Sequence, residues 1–185
     1  MNSEDIYLKY KENRIDRNTA INLLISLIDN NTDERSRITS IRNLDKIGVS
    51  DQEIYDLLEN LVISDKNKGI RDAAAIALKN NFRDNANAIL SLLWSIQTNM
   101  EELVFLDKTV EAVFELLKYL KSKKDIRTAN ILYKGLNQIL HREYAKKISE
   151  MVEAKANNNE EWSIEELAEI LEKYIFYIYT KTILK

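Results

Sequence analysis

The sequence predicts an all-α protein built from stacked helix pairs. Three observations carry that expectation. The 185 residues contain no proline and only three glycines, Gly48, Gly69 and Gly135, too few for the tight turns that sheets need. Helix caps followed by apolar stripes of helical spacing occur several times along the chain. The caps recur at a fixed interval of 34 residues, from Asp16 to Ser50 and from Ser50 to Asp84, and a period of that size marks stacked two-helix units.

Each element follows from its own residues. Asp16 is the expected cap of a helix with Ala20, Leu23, Leu24, Leu27 and Ile28 on one face. Ser50 and Glu53 have the spacing of a capping box, ahead of Ile54, Leu57, Leu58 and Leu61. Asp84 is the expected cap for the stripe Ile89, Leu92, Leu93 and Ile96. The intervening helices keep the same interval, because Arg37 and Leu44 precede Arg71 and Leu78 by 34 residues. A single helix pair cannot bury its apolar face alone, so the pairs must stack.

Beyond Asn99 the period loosens. A longer helix is expected with Leu103, Leu106, Val110, Val113, Leu117 and Leu120 facing inward, followed by a partner with Ala129, Leu132, Leu136 and Ile139. Gly135 inside that partner suggests close backbone packing. The stretch EAKANNNEEW has no periodicity and predicts a flexible linker over 153–162. Ser163 and Glu166 then form another capping box, flanked by Trp162 and Leu167 as a hydrophobic staple. The last helix, 163–185, carries a wide apolar face from Ile164 to Tyr179. It is expected to fold back on the end of the helical stack, with a second chain or a missing downstream domain as the alternative cover. The domain plan is therefore a repeat domain over 1–152, divided at about 16–63, 64–98 and 99–152, then the linker and the amphipathic helix.

Residues 70–78 read Ile-Arg-Asp-Ala-Ala-Ala-Ile-Ala-Leu. This segment resembles the HEAT repeat, of the type found in bilin-lyase-like proteins: an apolar residue and Arg, two variable residues, Ala-Ala, one variable residue, and Ala-Leu. The preceding unit keeps Arg37, Leu44, Ile47 and Gly48. It departs at Ser36, Ser40, Ile41 and Asn43. The resemblance covers 16–98, and the Ile-, Lys- and Asn-rich composition is similar to archaeal HEAT-like modules. It implies a short right-handed α-solenoid of antiparallel helix pairs with a C-terminal capping helix. It also implies that Arg37 and Arg71 are structural, bonding an acid near the inter-repeat turn, with Asp33 and Asp65 as candidates. Arg is rarely buried unless paired.

Composition narrows the chemistry. The formal net charge is −3 with 27 basic and 30 acidic residues, which disfavours nucleic acid as a partner. There is no cysteine and one histidine, His141, so the common zinc sites are excluded. His141 is expected to be a solvated helix-end residue. No Gly-rich phosphate loop, nucleophile elbow or EF-hand pattern occurs. The carboxylate pairs Glu101/Glu102, Glu160/Glu161 and Glu165/Glu166 fit first helical turns, where they favour the helix dipole. The start, MNSEDIYLKYKENR, is polar and no signal peptide, and no apolar run spans a membrane. The expectation is a cytoplasmic protein, not an enzyme, with no metal and no cofactor.

The function expected is a scaffold or adaptor that binds a protein partner on the surface of the solenoid. The resemblance places the concave side on the second helix of each pair, which leaves Asn18, Asn22, Ile25 and Asp29, then Tyr55, Asp56, Glu59 and Asn60, then Asn87, Leu90, Ser91 and Trp94 outside the core stripes. Tyr55, Glu59, Asn60, Leu90 and Trp94 are the candidate partner-binding residues, since aromatics anchor interfaces. A basic cluster of Lys121, Lys123, Lys124 and Arg127 could hold an acidic partner, a phosphate or a nucleic-acid backbone; solvated lysines at a helix C-terminus are the plain alternative. The alternatives in function are a nucleic-acid binder like the HEAT-like DNA glycosylases and an N-terminal structural module of a longer protein. Self-association through the last helix is also open.

Overall fold

The computed structural model describes residues 1–31, 33–99, 108–123, 131, 146, 150 and 163–183. They form eight helices: α1 (Ser3–Lys11), α2 (Arg17–Asn30), α3 (Glu34–Ile47), α4 (Gln52–Ser64), α5 (Lys68–Asn81), α6 (Ala86–Thr98), α7 (Lys108–Lys123) and α8 (Ile164–Ile183). The protein is all-α, and most helices pack on a neighbour in sequence. The chain divides into two compact units, Met1–Phe82 and Arg83–Lys185.

Short polar side chains start the helices. The Asp16 carboxylate accepts from the Thr19 backbone N–H at 2.9 Å and from its hydroxyl at 2.6 Å. These bonds hold its carboxyl below the ordinary value. Their contribution to stability is present above the unfolded-chain carboxylate value and is lost as pH falls through the lower folded one. Asp33 caps α3 through Ser36 N–H at 2.8 Å, and Asn67 caps α5 through Ile70 N–H at 3.1 Å. Gly48 ends α3 at φ +76°, a conformation that favours glycine.

Two caps differ from the sequence expectation. The α4 cap is Asp51, not Ser50, and its side chain makes no capping bond. With the helix starting at Gln52, Ser50 and Glu53 are one position out of register for a capping box. The α6 cap is Asn85, not Asp84, and it accepts from Asn87 N–H at 3.0 Å. The sequence pattern does not predict the first helix, Ser3–Lys11. In α1 the Asn2 side chain and Asp5 exchange bonds at 2.8 and 3.3 Å in a capping box.

In the first unit, α2 packs on α3, α4 on α5, and α3 on α5, while α1 lies against α2 and α3. Leu24, Ile28, Ile41, Leu44, Leu58, Ile70 and Leu78 are fully buried, each worth roughly 1.5–3 kcal/mol over an exposed side chain. Ala73, Ala74, Ala75 and Ala77 are also buried, so α5 approaches its neighbours closely. A Cβ added at Gly69 would sit 2.9 Å from Ile38 Cδ1 of α3. The departures of α3 from the alanine pattern have a cause. Buried Asn43 donates to the Ser3 carbonyl and hydroxyl of α1 at 3.1 and 2.9 Å, and Ser40 bonds back to the Ser36 carbonyl at 2.9 Å.

In the second unit α6 packs on α7 and α7 on α8. Ile89, Leu92, Leu93 and Ile96 of α6 join Val113, Leu116, Leu117 and Leu120 of α7 as buried apolar side chains. Ser163 and Glu166 form the expected capping box at 2.9 and 3.2 Å. The last helix folds back on α7, with Ala168, Ile170, Leu171, Tyr174 and Ile175 buried. The helix expected around Gly135, the linker over 153–162 and the staple side chains Trp162 and Leu167 lie outside the described residues.

Candidate functional site

At one end of the first unit, two arginines make the polar contacts that join successive helix pairs. Arg37 donates through Nε to the Ile28 carbonyl at 2.8 Å and through Nη2 to Asp65 Oδ2 at 2.6 Å. Arg71 is 5% exposed, and its Nη1 donates to the Asp65 and Lys66 carbonyls at 2.8 and 3.1 Å. Asp65 therefore receives Arg37 on its side chain and Arg71 on its backbone. Each arginine also satisfies carbonyls where a helix ends, which no turn of that helix can reach. Of the two candidate acids, Asp65 makes the ladder. Asp33 caps α3 instead.

The opposite ends of α3 and α5 are tied as well. Asp45 accepts from Asn80 at 2.9 Å and from Asn81 at 2.7 Å, and Asn81 Oδ1 accepts from Val49 N–H at 2.9 Å. Arg17 donates to the Gly48 carbonyl. The first unit is thus fastened at both ends of its two central helices. Sequence reading found the arginine end and missed the asparagine end, because Asn80 and Asn81 read equally well as a helix stop.

The candidate partner-binding residues divide. Tyr55 is not on the surface: it is 4% exposed, with its ring edge-on to Phe82 at 5.3 Å. Its hydroxyl lies 3.2 Å from Glu59, which is half-buried. Ser91 is likewise buried, bonding the Asn87 carbonyl at 2.9 Å. Asn60 is exposed, Leu90 half-buried, and Trp94 keeps 40% of its surface open. Phe114 and Phe176 are exposed too, at 41% and 70%; both lie off the inward stripes of their helices, and that offset is the signal in the sequence that could have found them.

The basic cluster is largely neutralised where it is described. Lys121 bonds Glu172 of α8 at 2.8 Å. Lys123 sits 5.2 Å from the Tyr119 ring centroid and 3.9 Å from Asp84. The Tyr119 side chain first, and then Asp84, raise its ammonium above the ordinary value. Arg83 stacks over the same ring at 4.9 Å, and the Tyr119 hydroxyl donates to Asp84 at 2.7 Å. The charges there are answered within the chain. Lys124, Arg127 and His141 lie outside the described residues.

Among the described residues, no group of three or more His, Cys, Asp or Glu side chains could hold a metal ion, and no helix is long and apolar enough to cross a membrane. Compared with known proteins, the chain matches no protein family, no curated protein and no solved structure.

Proposed function

We propose that the chain is a non-enzymatic scaffold, a HEAT-like stack of helix pairs that binds a protein partner on the outer faces of α2 and α4 in the first unit. The observation that carries this reading is the Arg37–Asp65–Arg71 ladder, which fastens one helix pair to the next at the 34-residue interval of the sequence. A rigid stack loses little conformational freedom on binding, so more of its contact energy appears as affinity. Tyr55 belongs to the core of that stack. The surface left on α4 is Glu53, Asp56 and Asn60, with Glu59 at its edge.

The test is comparative capture from a lysate of the source cells with tagged wild type and the triple variant Glu53→Lys, Asp56→Lys, Asn60→Lys. All three positions are exposed, so far-UV circular dichroism should not change. The expected result is a partner retained by the wild type and lost by the variant. The same retained proteins for both, or none for either, would overturn the placement.

A further inference from the structure

The outward side of α3 carries a row of bases. Arg35, Thr39, Arg42 and Lys46 fall on one stripe of the helix by their spacing. The three cations are exposed and Thr39 is half-buried. Asn43, to one side of the row, bonds Ser3 of α1, and Asp45, to the other, bonds Asn80 and Asn81 of α5. The row therefore lies on the open side of α3, between those two neighbours. The arginines of the first unit divide. Arg14 meets Glu12, Arg17 the Gly48 carbonyl, Arg37 the Asp65 carboxylate, and Arg71 two carbonyls. Among the described residues, Arg35 and Arg42 have no hydrogen-bond or ion-pair partner. Helix stability accounts for Lys46, in the last turn of α3, but not for Arg35, in the first turn, where the helix dipole disfavours a cation.

We propose that this row binds an acidic helix of a protein partner, with Asp or Glu carboxylates at the same spacing seated on Arg35 and Arg42. The surface is separate from the α2 and α4 faces and does not depend on them. A guanidinium offers a planar fork of donors that fits a carboxylate. Two forks seven residues apart stand two helical turns apart on one face, as do two acids seven residues apart on a facing helix. Neither arginine has to give up a partner within the chain to bind. Charge complementarity selects the sign of the partner, and the length of the row selects its class. From Arg35 to Lys46 the row is only about 16 Å long at the α-helical rise. A nucleic acid would run past it, and acids outnumber bases in Met1–Phe82 as a whole, so further phosphates would be repelled. A short acidic helix ends where the row ends.

The experiment is fluorescence anisotropy at low salt with the full chain. The probes are a labelled alanine-based helical peptide with Glu at the four offsets of the row, its Gln counterpart, and a single-stranded DNA of equal charge. The Glu peptide should bind, and more weakly as salt rises; the Gln peptide should bind at least about tenfold more weakly. Arg35→Ala/Arg42→Ala should weaken the Glu peptide by about tenfold or more. Arg35→Lys/Arg42→Lys should recover only part of that loss, because Lys keeps the charge without the fork. Lys11→Ala/Lys66→Ala removes two exposed cations elsewhere on the first unit and should leave the affinity unchanged. All four positions are exposed, and far-UV circular dichroism checks that each variant keeps its helices. No binding of the Glu peptide, an equal loss in Lys11→Ala/Lys66→Ala, or tighter binding of the DNA than of the peptide would overturn the proposal. None of these results bears on partner capture through α4, which is read by a separate variant.

Discussion

Arg71→Ala should lower the unfolding free energy of the first unit by about 3 kcal/mol, the loss of two hydrogen bonds from a charged donor plus the hole left by a large buried side chain. The side chain is 5% exposed and holds the carbonyls of Asp65 and Lys66. Arg71→Lys keeps the charge but not the planar fork, and should recover less than half of the loss. Arg71→Met restores most of the packing and none of the bonds. Urea unfolding followed by far-UV circular dichroism measures the series. Tryptophan emission would not serve, since Trp94 and Trp162 both lie after Phe82, where the first unit ends. Stability equal to wild type in Arg71→Ala would remove the ladder from the account.

The second large effect is coupling between Arg37 and Asp65. Their side chains are 22% and 11% exposed at 2.6 Å separation, so the pair is screened less than a surface ion pair. Asp65→Ala should cost about 2 kcal/mol, because it leaves a half-buried guanidinium without its counter-charge and also removes the acceptor of the Asn67 N–H. Arg37→Ala should cost a similar amount, and the double variant much less than the sum. A double-mutant cycle should give a coupling of about 1.5 kcal/mol. Additive single effects would mean that the two residues stabilise their own hairpins and do not join them.

Most of the helices were legible in the sequence because they rest on local chemistry: cap residues, apolar stripes, and small residues at Ala73, Ala74 and Ala77; the interval of 34 holds from Arg37 to Arg71, while the caps Asp16, Asp51 and Asn85 are not evenly spaced. The arginines were legible because both fall at the same point of the repeat. Ser50 and Asp84 were each misplaced by one residue. Asp51 and Asn85 beside them are equally good caps, and only the helix start decides. The short α1 is not legible in the sequence because its buried contact, Ser3 with Asn43, spans 40 residues. Tyr55 was misread for a related reason. It continues a stripe through Leu58 and Val62 at helical spacing, wider than the one traced from Ile54, and its partner Phe82 is reached only in the fold. The candidate surface was the least legible part, since which outer residues stay open depends on packing that no local pattern states.

A rigid first unit underlies the proposed scaffold, and native-state hydrogen exchange tests it. With α3 and α5 fastened by Asp65 at one end and Asp45 at the other, their central amides should open together with one free energy. Arg71→Ala should lower both helices by the same amount. Exchange of α5 at a free energy well below that of α3, or a loss in Arg71→Ala confined to α5, would contradict a single rigid stack.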